Sequence, residues 1–155
     1  MAIHERTAAY RAATERFLRV ATEVGQHELD ITPPSGWSAR QVMHHVADSE
    51  AQSYARLRRL IAEPGSEIQG YDEAGWAETP QLGYRELPVE ESLAVFSAVR
   101  SASATVLTRL GDADLELAGK HSESGAYTLS DWLEAYTQHP LEHAAQIERA
   151  VRGED

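Results

Sequence analysis

At 155 residues the chain can form one domain, residues 1–155, with a sizeable core, and is too short for two. Its 42% hydrophobic and 25% charged residues fit a soluble globular protein, and a net charge of −11 argues against nucleic acid or an anionic membrane as partner. No apolar run reaches the ~18 residues of a membrane span, the first residues lack a signal-peptide core, and the absence of cysteine excludes disulfides, thiolate zinc sites and a cysteine nucleophile, so the expected location is the cytoplasm.

The first helix is expected over Ile3 to Val24, where Tyr10, Ala13, Phe17, Ala21 and Val24 recur at three- and four-residue spacing, with Gly25 as its stop. Thr32-Pro33-Pro34-Ser35-Gly36 then forces a loop. The second helix has a sharp start. Ser38 is its N-cap, Gln41 closes a capping box, and Trp37 can staple onto Val42. Its core stripe runs Val42, Val46, Ser49, Ser53, Leu57 and Leu60 to a stop at Pro64-Gly65.

Residues 64–87 form a long connection carrying Tyr71-Asp72-Glu73-Ala74-Gly75-Trp76; connections of this length in compact domains are usually functional or disordered, and the aromatics argue against disorder. The third helix is expected to begin with Pro88 at N1, with Glu90 and Glu91 suited to its positive end. Its stripe is Leu93, Phe96, Val99, Val106, Leu107 and Leu110, ended by Gly111. A second connection, 111–127, contains His121. The fourth helix starts from Thr128, with Asp131 in the box position and Tyr127 able to staple onto Trp132. No segment alternates with the period of a strand. Four amphipathic helices imply an all-α, four-helix bundle, and the long link between the second and third allows those two to run parallel.

The polar residues on the core stripes carry the chemistry. His139 and His143 are four apart and fall on the stripe that includes Leu133, Tyr136 and Ile147. On the second helix His45 lies three after Val42 and four before Ser49, so it borders the core, whereas His44 is turned about 100° away and is expected to be wetter. One histidine from the second helix and the pair from the fourth give three imidazoles converging inside the bundle. Three nitrogens with an open fourth position form the ligand set of a catalytic zinc site, and nickel, cobalt or iron accept the same set. The competing reading is that each imidazole is satisfied by backbone or carboxylate. Pro140 lies between the pair, where it removes the helical bond to the Tyr136 carbonyl or marks a helix boundary.

Gly36-Trp37-Ser38 leading into Gln41-Val42-Met43-His44-His45-Val46-Ala47-Asp48-Ser49 resembles the first signature of the DinB/YfiT-like family. Tyr71-Asp72-Glu73 with Trp76, the His121 to Leu129 loop, and Tyr136, His139, His143 and Ile147 resemble its later ones in the same order. The likeness runs from Trp37 to Val151 and is greatest to YfiT-type bacillithiol S-transferases. It implies an enzyme built as an up-down-down-up bundle with a long crossover between the second and third helices, often a homodimer. It also implies one zinc or nickel ion per chain on His45, His139 and His143. The sequence departs from relatives at Pro140-Leu141-Glu142, where they are richer in His and Gly, and at Gln146, where a further His is common.

Two mechanisms suit such a site. In the first, favoured by the subgroup likeness, a low-molecular-weight thiol such as bacillithiol is the cosubstrate, and its metal-stabilised thiolate attacks an electrophilic small-molecule substrate. In the second, the metal lowers the pKa of bound water to ~7 for hydrolysis of an ester or amide. A thiol-dependent isomerase and a non-catalytic binding module are the remaining readings. Asp48, one turn after His45, is the candidate carboxylate for orienting an imidazole, and His121 the candidate proton donor near the mouth. Tyr71 and Trp76 are the candidates for walling the pocket.

Overall fold

The structure, a computed structural model, describes residues 1–155. Four long helices, α1 (Ile3–Glu23), α2 (Ala39–Ala62), α4 (Glu90–Leu107) and α5 (Leu129–Ala150), form the bundle, and a short α3 (Glu73–Glu78) lies in the crossover. The start of α2 is built as its sequence dictates: Ser38 Oγ accepts from the Gln41 N–H and Gln41 Oε1 accepts from the Ser38 N–H. Thr128 and Asp131 make the same reciprocal pair at α5.

Helix α1 stops at Glu23 because Val24 turns extended; Gly25 takes no left-handed conformation and instead donates its N–H to Glu28 Oε2. Helix α4 begins at Glu90, so Pro88 precedes the helix rather than occupying N1. It ends at Leu107, before Leu110 and Gly111, and Gly111 opens a 3-10 turn over Asp112–Glu116. Helix α5 runs unbroken through Pro140.

Paired side chains fix the helix directions. His44 and Glu50 of α2 meet Ser92 and Arg100 of α4 in the same order, so α2 and α4 run parallel. Arg6 and Arg16 of α1 meet Ser130 and Glu148 of α5, again in order. Conversely, His45 meets His143 while Ser53 meets Trp132, so α2 and α5 are antiparallel. Thr14 and Phe17 meet Arg100 and Phe96, which makes α1 and α4 antiparallel as well. The order is up-down-down-up, with the crossover joining the parallel pair.

The two long connections are not plain loops. They contribute a three-stranded sheet: β1 (Glu67–Ile68) runs parallel to β2 (Ala118–His121), with Ile68 opposite His121, and β2 pairs antiparallel with β3 (Gly125–Thr128). Strands of two and four residues are too short to show a period of two, which is why the sequence pattern conceals them. Gly119 is required here, because a Cβ at that position would stand 2.7 Å from the Ser66 carbonyl oxygen.

The core has two apolar halves. One gathers Phe17, Val42, Val46, Phe96 and Ile147; the other gathers Tyr10, Leu57, Leu107, Trp132 and Leu133. Each such fully buried large side chain contributes about 1.5–3 kcal/mol. Between the halves, every long helix places polar groups inward: Thr14, His45, Ser49, Glu50, Ser53, Arg100, Ser103, His139 and His143. This belt positions the site. No helix is long and apolar enough to cross a membrane.

Candidate metal centre

Three imidazoles meet in the polar belt. His45 Nε2 lies 3.2 Å from His139 Nε2 and 3.2 Å from His143 Nε2, and the last two are 3.0 Å apart. Antiparallel packing of α2 on α5 brings His45 opposite the gap between successive turns of α5, and the four-residue spacing stacks the other two rings. Trp37, just ahead of the α2 cap, packs on His45 with 5.1 Å between ring centroids.

The protein alone cannot satisfy this triangle. Gln146 Oε1 accepts from His143 Nδ1 at 2.6 Å, so the proton of His143 sits on Nδ1 and Nε2 presents a lone pair. His45 Nδ1 and His139 Nδ1 are buried without a partner. Nitrogens this close repel unless a proton or cation lies between them, and one proton serves two of them at best. Metal–nitrogen distances of about 2.0–2.1 Å with tetrahedral angles need nitrogens about 3.3–3.4 Å apart, close to what is seen. The donor set therefore fits a divalent cation.

Electrostatics point the same way. Burial, then the neighbouring imidazoles, pushes His139 down to about 2, and burial with His143 pushes His45 down to about 4. Burial also lowers His143, opposed by its bond to Gln146. All three rings are neutral at pH 7, the form that binds metal.

Beside the triangle lies a corner of hydroxyls. Ser49 is one turn beyond His45, and Tyr136 is one turn before His139, its ring 6.4 Å from that imidazole. Arg56 donates from Nη1 to the Tyr136 hydroxyl at 3.0 Å and from Nη2 to the Gln69 carbonyl at 2.7 Å. Tyr71 reaches in from the crossover, its hydroxyl buried beside Ser49 without a well-formed hydrogen bond. Burial raises both phenols, Tyr136 to about 12, so each is a hydroxyl at neutral pH.

Other residues singled out from the sequence are placed differently. Asp48 does not meet an imidazole: its Oδ2 accepts a short hydrogen bond from the Tyr84 hydroxyl. His44 is not wetter than the core. It is buried, with Nδ1 paired to Ser92 Oγ at 2.8 Å and Nε2 to the Leu87 carbonyl at 3.1 Å, where it pins the crossover to α4. His121 ends β2 against Tyr127, 5.5 Å between centroids, and accepts the Glu123 N–H at 3.2 Å; it stands outside the triangle. Trp76 packs edge-on against Tyr71 at 4.7 Å and so supports that side chain.

Sequence reasoning missed Arg56, the hydrogen bond from His143 to Gln146, and the fully buried pair Glu50–Arg100 (Oε1 to Nη1, 3.0 Å). A signal existed for two of them. Arg56 follows Ser49 by seven residues, hence on one helix face, and Arg100 follows Phe96 by four on the stripe itself.

A model of the family described as the DinB superfamily matches residues 9–147. A protein of Oceanobacillus iheyensis is 35% identical over 134 residues, covering 86% of this chain and 76% of its own length. One of Bacillus mycoides is 37% identical over 131 residues, covering 83% and 73%. Both carry the name "putative metal-dependent hydrolase". Among solved structures, YfiT from Bacillus subtilis matches with a TM-score of 0.85 and 26% identity over 97% of this chain and 86% of that one. It is described as a "probable metal-dependent hydrolase with an unusual four-helix bundle topology".

Proposed function

The chain belongs to the DinB superfamily, and we propose that it is a metal-dependent hydrolase in which His45, His139 and His143 hold one zinc or nickel ion. The observation that carries this reading is the triangle of Nε2 atoms 3.0–3.2 Å apart, which no arrangement of protein hydrogen bonds satisfies. Held by these three histidines, a divalent cation would supply Lewis acidity for acidifying a nucleophile and polarising an acyl oxygen. Gln146 fixes the tautomer of His143, and Trp37 shields His45 from water. The hydroxyls of Tyr136 and Tyr71, kept protonated by burial, are hydrogen-bond donors beside the centre for a molecule bound there. The names of the relatives support hydrolysis.

A second reading, thiol S-transfer to an electrophilic small molecule, is favoured by one observation. The histidine cluster itself includes no carboxylate to act as general base, and on α2 Asp48 is engaged by Tyr84 and Glu50 by Arg100. A thiol acidified by the cation needs no such base, and with no cysteine in the chain it must come from a cosubstrate such as bacillithiol.

Elemental analysis of untagged protein, followed by two assays, separates the readings. Turnover of activated esters without thiol, lost in His139→Ala, supports the hydrolase. Conjugation of an electrophilic dye that requires a thiol and vanishes in the same variant supports the transferase. Protein that purifies with no stoichiometric metal and binds none on titration overturns both.

A further inference from the structure

We infer that Arg56, with Tyr136 and Tyr71, forms a carboxylate-binding subsite beside the histidine triangle. The inference rests on the reading that the triangle is the reacting centre, and it names the class of molecule that centre receives.

Arg56 is the anomaly that points there. Seven of the thirteen arginines have a side-chain carboxylate within 4.0 Å, including the buried Arg100. Arg56 has none, and it alone among the arginines has a buried nitrogen without a hydrogen-bond partner. Its protein partners are neutral oxygens, the Tyr136 hydroxyl and the Gln69 carbonyl, and its Nε is buried with no partner. Glu73 of α3 senses this charge yet is exposed and does not reach it. A partly buried guanidinium whose buried Nε–H is unused has a donor to offer an anion. The free Nε–H shares an edge of the planar group with Nη2, the two-pronged donor that a carboxylate matches.

Location links this corner to the chemistry. Arg56 and Ser49 lie on one face of α2, and Ser49 is one turn from His45. Tyr136, which Arg56 holds, is one turn from His139. The Tyr71 hydroxyl, also buried and unpartnered, adds a donor on the same side. A small molecule with its reacting carbon at the triangle would thus set a carboxylate against Arg56. That carboxylate can belong to the electrophile or to the thiol.

The test uses zinc-loaded protein and succinate as probe, with succinamide as neutral control. Succinate is expected to shift the Arg56 Nε–H resonance, and Arg56→Gln to weaken succinate binding by about tenfold or more while metal content stays the same. Arg56→Lys, which keeps the charge without the fork, is expected to fall between. Kinetic arms identify the source: mono-4-nitrophenyl succinate against 4-nitrophenyl butyrate for the electrophile, mercaptosuccinate against 2-mercaptoethanol for the thiol. A lower KM for the carboxylated member of either pair, abolished in Arg56→Gln, supports the subsite. Succinate binding unaffected by either substitution, or equal KM values within both pairs, overturns it. Should Arg56→Gln fail to fold by circular dichroism, the wild-type resonance and Arg56→Lys decide. Arg56-dependent succinate binding without turnover in any arm would sink the enzymatic reading and leave the subsite standing; turnover with no carboxylate preference would do the reverse.

Discussion

Arg100 donates from Nη1 to the main-chain carbonyl of Tyr136. That carbonyl is the one a helical residue at position 140 would bond through its N–H, and Pro140 has no N–H to give. The guanidinium therefore supplies, from across the bundle, the bond the proline removes. It also donates to Glu50 Oε1 at 3.0 Å, Thr14 Oγ1 at 2.7 Å and the Tyr10 carbonyl at 2.7 Å. Arg100→Met would leave a buried carboxylate and an orphaned carbonyl together. Its expected cost is about 3–5 kcal/mol, or roughly 6–20 °C in unfolding midpoint. The double variant Glu50→Leu/Arg100→Met removes both charges and should recover much of that loss in the same thermal melts. Pro140→Ala should stabilise by less than the ~3 kcal/mol a mid-helix proline costs, because Arg100 already serves the carbonyl.

Gln146 stands where relatives often carry histidine, and the structure gives it a task through His143 Nδ1 at 2.6 Å. An amide oxygen can only accept, so it commits His143 to the tautomer whose Nε2 lone pair faces the other two rings. Gln146→Leu should lower metal affinity by about 10–100-fold with little change in fold. Competition titration against a chromophoric chelator measures this. An affinity within twofold of wild type would show that the ring is held by packing alone.

The bundle was legible because helix signals are local. The Ser38–Gln41 and Thr128–Asp131 boxes and the three-to-four spacing of apolar residues all survive in the structure. The three histidines were legible because polar residues on a core stripe break that spacing conspicuously. What stayed hidden was non-local. The sheet depends on pairing residues about fifty positions apart, as Ile68 with His121. Distance along α2 points Asp48 to an imidazole, but its partner Tyr84 comes from the crossover, whose path no periodicity describes. Likewise, a buried Arg100 reads as a surface residue until Glu50, Thr14 and Tyr136 are seen to close around it.

Asp48 therefore has a different expected phenotype from the histidines. Its carboxylate accepts from Tyr84, which burial and that same bond hold well above the usual phenol range. Asp48→Asn weakens a charge-assisted bond between α2 and the crossover and should cost about 1–3 kcal/mol in denaturant melts. Metal content should remain at the wild-type level, whereas His45→Ala and His139→Ala should each abolish stoichiometric binding. Loss of metal in Asp48→Asn at unchanged stability would return that residue to the centre.

The neutral state of the rings makes the stability of metal-free protein sensitive to acid. An imidazole in the unfolded chain takes its proton near pH 6.5. In the folded protein burial holds His45 down to about 4 and His139 to about 2. Between those values the unfolded state binds more protons, so stability rises with pH. The contribution is complete above about pH 6.5 and drains away as pH falls toward 4, each ring adding a slope of up to about 1.4 kcal/mol per pH unit. Glu50 acts in the opposite sense, since burial raises its carboxyl and the folded state takes that proton more readily. Comparing variants removes this background. Chelator-treated wild type and His139→Leu should be followed by urea denaturation from pH 7.5 to 5. The wild-type stability should fall more steeply on acidification, the two curves diverging below about pH 6.5. Parallel curves would mean that His139 titrates in the folded chain as it does in the unfolded one, and that the triangle is open to water.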